Sequence, residues 1–222
     1  MKFASEGTMV AGIAAAVAVV AGLLFGAVVF GIAAALALGV LLFFRDPERQ
    51  APQDPAAVVS PADGRVVFAE TGASPHRFAP GSTVKVAIFM SPLDVHVNRS
   101  PLAATVEKIE HKPGRFGAAY KSDADAINES SSMLLRTAAG AEVVVVQIAG
   151  FLARRIVNRM RPRAQLSRAE RFGLIMFGSR VDVYLPPQAR LAVRPGETVR
   201  AGQTTLAWLD ATAGAIDEPK AA

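Results

Sequence analysis

Thirty-eight consecutive residues, Gly7–Phe44, carry no charged side chain, and this run constrains the chain more than any other feature. One helix crossing the bilayer core needs about 20 apolar residues. The run is therefore too long for a single helix and suits two short ones. It predicts a membrane anchor over 1–44, a helical hairpin turning near Gly26–Gly31, with a single tilted span as the alternative. A cleaved signal peptide fits less well, because its apolar region is only ~7–15 residues long and ends in a small-residue cleavage site. Lys2 precedes the run, and Arg45 and Arg49 follow it. Basic residues at both flanks favour the cytoplasmic side for each, and so for the domain that follows. The net charge of +5 would favour anionic headgroups there.

The rest of the chain is long enough for one domain with a real core. With no cysteine and three histidines in 222 residues, the chain can build neither disulfides nor a thiolate site, and no metal is expected. No Lys/Arg stripe is interleaved with aromatics, so a nucleic-acid partner is not expected. Residues 45–56 read as a linker, since Asp46–Pro55 (DPERQAPQDP) holds three prolines. The domain over 57–222 shows short Val/Ile-rich runs separated by turn signals: Val58–Val59, Gly64–Phe68, Val84–Met90, Ala103–Ile109, Glu142–Ala149, Ile156–Val157, Leu174–Phe177 and Val181–Leu185. These predict a mainly β barrel or sandwich, with one short helical stretch over Phe116–Asn128.

Leu191–Leu209 has the turn pattern of barrel-sandwich hybrid domains, and Trp208 is expected in that core. A carrier role of that architecture is disfavoured, because no lysine lies between Lys121 and Lys220. His76 and His111 read as surface or turn residues.

Without cysteine, a nucleophile must be Ser, Thr, Lys or a carboxylate. Three segments set polar groups against strands: SPADGRV (Ser60–Val66), FMSPLDVHVNRSP (Phe89–Pro101) and FGSRVDVYLP (Phe177–Pro186). In the third, Ser179 follows Gly178 at a turn between apolar runs. Glycine leaves the preceding carbonyl open to attack and permits unusual backbone angles. Taken alone, however, Gly-Ser is an ordinary turn.

Six segments in register change that reading: FFRDPER (Phe43–Arg49), SPADG (Ser60–Gly64), FMSPLDVHVNRSP, KPGRFGAAYKSDADAINE (Lys112–Glu129), AGFLARRIV (Ala149–Val157) and RFGLIMFGSRVDVYLP (Arg171–Pro186). With the apolar N-terminus, the chain resembles the phosphatidylserine decarboxylase proenzymes of the short, membrane-anchored bacterial and archaeal type. The resemblance implies autocatalytic cleavage between Gly178 and Ser179, giving chains 1–178 and 179–222. A pyruvoyl group formed from Ser179 would be the cofactor, and it would hold the substrate amine as a Schiff base during decarboxylation. The substrate would be a membrane phospholipid, and homo-oligomerisation stays open. A serine ether lipid as substrate, and a non-enzymatic membrane-tethered barrel, are the alternatives.

The resemblance makes His96 the base for Ser179 and assigns Asp63 to orient it. Asp94, two residues before His96, is the competing carboxylate. Larger members of the family carry a second histidine where this chain has Arg99. His96 would then serve both self-cleavage and decarboxylation, or Arg99 would bind the substrate phosphate or carboxylate. Arg99, Lys121, Asn128, Arg154 and Arg155 are the headgroup-binding candidates.

Overall fold

The computed structural model describes residues 2–115, 117, 119–120, 127–150, 155–176 and 178–209. The uncharged run folds as two helices, α1 (Ser5–Phe25) and α2 (Ala27–Phe43), separated by Gly26 alone. Gly26 adopts φ +90°, a left-handed conformation that costs glycine little, so the chain can reverse within one residue. Gly22 lies against the Phe30 side chain and Gly7 against Phe44, where a Cβ on either glycine would collide. The hairpin closes at its base, where β1 (Lys2–Phe3) pairs with β2 (Arg45–Asp46), and Ala4 N donates to Phe44 O at 2.9 Å. Both flanks of the apolar run therefore emerge together. Leu23, Phe25, Val28 and Leu36 point outward and are 68–82% exposed. A helix pair apolar on its outer faces suits lipid, and α1 is long and apolar enough to cross a membrane over Gly7–Phe25. At 1.5 Å per residue, the 17 residues of α2 span about 25 Å.

Beyond the hairpin the chain is mainly β, as its patterning predicts, and every strand pair is antiparallel. The remaining strands are β3 (Ala57–Val59), β4 (Gly64–Thr71), β5 (Val84–Met90), β6 (Val97–Arg99), β7 (Ala104–Lys112), β8 (Ser130–Arg136), β9 (Glu142–Ile148), β10 (Ile156–Asn158), β11 (Gln165–Leu166), β12 (Arg171–Ile175), β13 (Ser179–Leu185), β14 (Arg190–Leu191), β15 (Thr198–Val199) and β16 (Thr205–Trp208). An eight-stranded sheet, ordered β11-β7-β8-β9-β13-β5-β4-β15, curls into a half-barrel. Two three-stranded sheets accompany it, β10-β12-β6 and β14-β16-β3.

Alternation along β13 organises the centre, because successive side chains face opposite ways. Val181, Val183 and Leu185 enter the main core with Ile88, Met133, Val145 and Phe172, whereas Tyr184 packs on the other face with Leu134, Val144 and Ile148. Ser179 therefore falls on the core face, and Arg180 and Asp182 on the opposite one.

The structure adds to the sequence reading at three places. The strand β8 was not legible, because its Ser130-Ser131-Ser132 start reads as loop; between β7 and β9 all three serines are buried. Trp208 sits at the edge rather than in the core, with its indole N–H on Asp54 Oδ2 at 3.1 Å and Arg190 over its ring. Along the 45–56 linker, Arg168 donates to the carbonyls of Pro52, Asp54 and Pro55. The short helix expected over Phe116–Asn128 lies largely outside the described residues.

Candidate active site

Gly178 has φ +57°, in the left-handed region that disfavours any residue with a Cβ, and nothing lies within 4 Å of where a Cβ would point. Its carbonyl oxygen lies against Gly150, so closely that a Cβ at position 150 would overlap it. Gly150, which follows β9, thus fixes the direction of the carbonyl of the Gly178–Ser179 bond.

Ser179 opens β13 opposite Met90 and is fully buried. Its Oγ donates to Met90 Sδ at 3.5 Å, a weak acceptor that holds the hydroxyl without drawing off its proton. Met90 Sδ in turn accepts from Asn98 Nδ2 at 3.8 Å, and Asn98 Oδ1 accepts from Gln147 Nε2 at 2.8 Å. Gln147 Oε1 is buried with no partner among the described residues.

His96, immediately before β6, is 2% exposed. Its Nδ1 lies 2.9 Å from the backbone carbonyl oxygen of Asp94. A carbonyl only accepts, so Nδ1 carries the proton and the lone pair resides on Nε2, which is buried with no partner among the described residues. Burial lowers the imidazole pKa from 6.5 to about 4, against the opposing pull of Asp94, and Arg45 adds to the lowering. At neutral pH the ring is therefore an uncharged base with its accepting nitrogen free.

Neither carboxylate expected to orient His96 binds its ring. Asp63 spends one oxygen on Arg49 Nη2 and the other on the backbone N–H of Ala201, both at 2.7 Å, and burial raises its pKa. Asp94 Oδ2 accepts from the backbone N–H of Ser91 at 2.7 Å. His96 thus takes the Asp94 main chain as its partner, a choice that residue types cannot reveal.

The headgroup candidates separate as well. Arg99 is 4% exposed and donates to Asp46 Oδ1 at 2.6 Å, Pro47 O at 2.9 Å and Ala169 O at 3.1 Å. It clamps the segment leaving the hairpin, and the same Asp46 also pairs with Arg171. Asn128 is consumed internally, by Gly117 N–H and O at 2.9 Å and by Ala149 O at 2.7 Å. Arg155 is exposed, and among the described residues its guanidinium has no partner; its carbonyl accepts from Met176 N, two residues before Gly178. Lys121 and Arg154 lie outside the described residues.

A family model for phosphatidylserine decarboxylase matches residues 36–207, which takes in the end of the hairpin and the whole of this site. The chain belongs to the phosphatidylserine decarboxylase family. Among its relatives, the phosphatidylserine decarboxylase proenzyme of Symbiobacterium thermophilum is 48% identical over 176 residues, covering 79% of this chain and 81% of that protein. The proenzymes of Desulfotalea psychrophila and Burkholderia vietnamiensis are each 46% identical, over 166 and 171 residues, covering 75% and 77% of this chain and 77% and 79% of their own.

Sequence reading passed over Met90, Asn98, Gln147 and Gly150. Met90 and Asn98 lie inside the FMSPLDVHVNRSP segment, and Gly150 inside AGFLARRIV. Gln147 had a signal of its own, as the one amide in the apolar strand EVVVVQI. Directly after Ser179, Arg180 and Asp182 form a fully buried bidentate pair at 2.7 and 2.8 Å, joined by Lys85 at 3.2 Å. Arg180 also donates to Ala119 O at 3.3 Å, tying β13 to the 112–129 segment.

Proposed function

We propose that this chain is a proenzyme that cleaves itself between Gly178 and Ser179 and then decarboxylates phosphatidylserine to phosphatidylethanolamine and carbon dioxide. The observation that carries the reading is the pairing of a left-handed Gly178 with a buried Ser179, in a chain of this family whose only deeply buried histidine among the described residues is a neutral base. Family membership favours this reading over a non-enzymatic tethered barrel.

In the first stage Nε2 of His96 takes the Ser179 Oγ proton as Oγ bonds to the Gly178 carbonyl carbon. The C–N bond to Ser179 breaks and the amide nitrogen gains a proton, leaving an ester. Loss of the Ser179 Cα proton and of the Gly178 carboxylate then gives chain 1–178 and a dehydroalanine at 179, and water releases ammonia from it to leave the pyruvoyl end. Gly150 serves here by holding the carbonyl in place, and Met90 by holding Oγ. Asp63 acts as a positioning residue, since its contacts run to Arg49 and Ala201.

In the second stage the pyruvoyl ketone supplies the electron sink for decarboxylation. Position 179 is closed to bulk water, and the unused acceptor Gln147 Oε1 in the same polar cluster is available to the N–H of a substrate amine, since the pyruvoyl carbonyls themselves only accept. His96 would return a proton to the product carbon, a role its unpartnered Nε2 supports, and among the described candidates the exposed Arg155 would be the headgroup cation. Basic Lys2, Arg45 and Arg49 at the hairpin base support a cytoplasmic position for the domain.

Intact mass spectrometry of the purified full chain tests this. Two masses corresponding to 1–178 and a pyruvoyl-capped 179–222 are expected, with one uncut mass from Ser179→Ala. A wild-type chain that stays at full mass in lipid refutes it.

A further inference from the structure

The hairpin does more than end near the domain; its last residue lies on the histidine. The rings of Phe43 and His96 stack with centroids 4.1 Å apart and planes 35° apart. Phe43 is itself 6% exposed and braced edge-on by Phe44, at 5.0 Å and 84°. Together with Ala4, the two phenylalanines form one apolar cluster with Val95, Val97 and Leu174, and Val40, Val157 and Met176 pack against it. Val40 belongs to α2, whereas Val97, Val157 and Leu174 come from the β10-β12-β6 sheet and Met176 from its continuation towards Gly178. Polar clamps flank the cluster: Arg45 donates to the Leu93 carbonyl, and Asp46 joins Arg99 and Arg171.

We propose that Phe43 is a positioning residue of the active site, its ring fixing the His96 imidazole so that the hairpin must be seated on the domain for the histidine to act as a base. The inference rests on the proposed role of His96 in self-cleavage.

A ring held by one hydrogen bond at Nδ1 can still swing about that bond. A flat apolar surface stacked on it removes that freedom without offering Nε2 a partner, and it excludes the water that would otherwise satisfy Nε2. The same exclusion disfavours the imidazolium. The charged groups facing His96 are Asp94 on its own loop and Arg45 at the hairpin end; the neighbours from β6, β10 and β12 in the cluster are apolar. Removing the Phe43 ring therefore admits water while leaving both charges in place. The anchor would thus build the site as well as hold the enzyme at its lipid.

The test is a nitrogen-15 NMR titration of the histidines in full-length Ser179→Ala chain in nanodiscs, with His76 and His111 as internal references and His96→Gln for assignment. With Phe43 intact, His96 is expected to titrate near 4, as an Nδ1–H tautomer. In Phe43→Leu, which keeps apolar bulk without the ring, and in Phe43→Ala, it is expected to move up by about one unit or more, with the tautomer signal averaged. Phe43→Tyr should restore the original values. With Ser179 present, self-cleavage of Phe43→Leu at pH 7.5 should slow about tenfold. A His96 titration and tautomer unchanged within about 0.3 unit in both Leu and Ala variants overturns the proposal. Because the titration is read on uncut chain, a shift as expected without cleavage of the wild type would uphold the role of Phe43 and sink the self-cleavage reading alone.

Discussion

Gly150→Ala tests the geometry of self-cleavage most directly. The added Cβ would overlap the Gly178 carbonyl oxygen, and because that oxygen belongs to backbone, no side-chain rotation relieves the clash. The carbonyl or the end of β9 must withdraw by roughly 1 Å, and misplacement of reacting atoms on that scale costs about 10²-fold in rate, or about 2.7 kcal/mol in the barrier. Ser179, Met90 and His96 remain in place, so the loss should appear as slow cleavage rather than as unfolding. The assay is conversion of freshly synthesised full chain in nanodiscs to 1–178 and 179–222, followed by mass against time. Gly81→Ala is the control, since its Cβ would meet nothing within 4 Å and its backbone is not left-handed. A thermal midpoint for Gly150→Ala close to the control confirms that the fold persists. Cleavage within about threefold of wild type, with the fold intact, would refute the claim that this contact aims the carbonyl.

Further expectations concern the buried charges and the base. Asp182→Asn removes the buried carboxylate that Arg180 and Lys85 share, which should destabilise the domain by about 3–5 kcal/mol and lower its thermal midpoint by roughly 10 °C. For His96, the unfolded chain takes up a proton near 6.5 and the folded one only near 4, so stability is complete above 6.5 and falls as pH drops between the two values. The gap between 6.5 and about 4 corresponds to about 3 kcal/mol, and this contribution to the slope should be lost in His96→Gln when urea midpoints of Ser179→Ala chains are compared at several pH values. Asp63→Asn and Arg49→Gln should slow cleavage to a similar degree, since each breaks the same 2.7 Å pair; cleavage lost in the first and normal in the second would instead make Asp63 a direct partner of the histidine.

The structure also bears on the missing second histidine. Arg99 stands at that position, and its guanidinium fixes Asp46 and the Pro47 and Ala169 carbonyls rather than facing open solvent. In the proposed mechanism His96 accordingly serves both stages. The residue that replaced the second histidine binds the hairpin exit to the domain, on the same side as the contact between Phe43 and His96.

The sequence alone determined the coarse plan, because that plan depends on local pattern. An uncharged run too long for one span and broken by glycine gives a hairpin, and alternating Val/Ile segments with Pro/Gly punctuation give antiparallel strands. It also offered Ser179, Gly178 and His96 as candidates, through the family resemblance of the short contiguous segments that hold them. Tertiary structure decided what depends on pairing between distant residues. Ser130–Ser132 became a central strand only because β7 and β9 flank it, and a buried ladder position satisfies backbone groups whatever the side-chain propensity. Asp63 went to Arg49 rather than to His96, and Arg99 to Asp46 rather than to solvent, because charges pair with whatever the fold brings within reach. The contact of Phe43 with His96 spans 53 positions along the chain, and no residue pattern announces it.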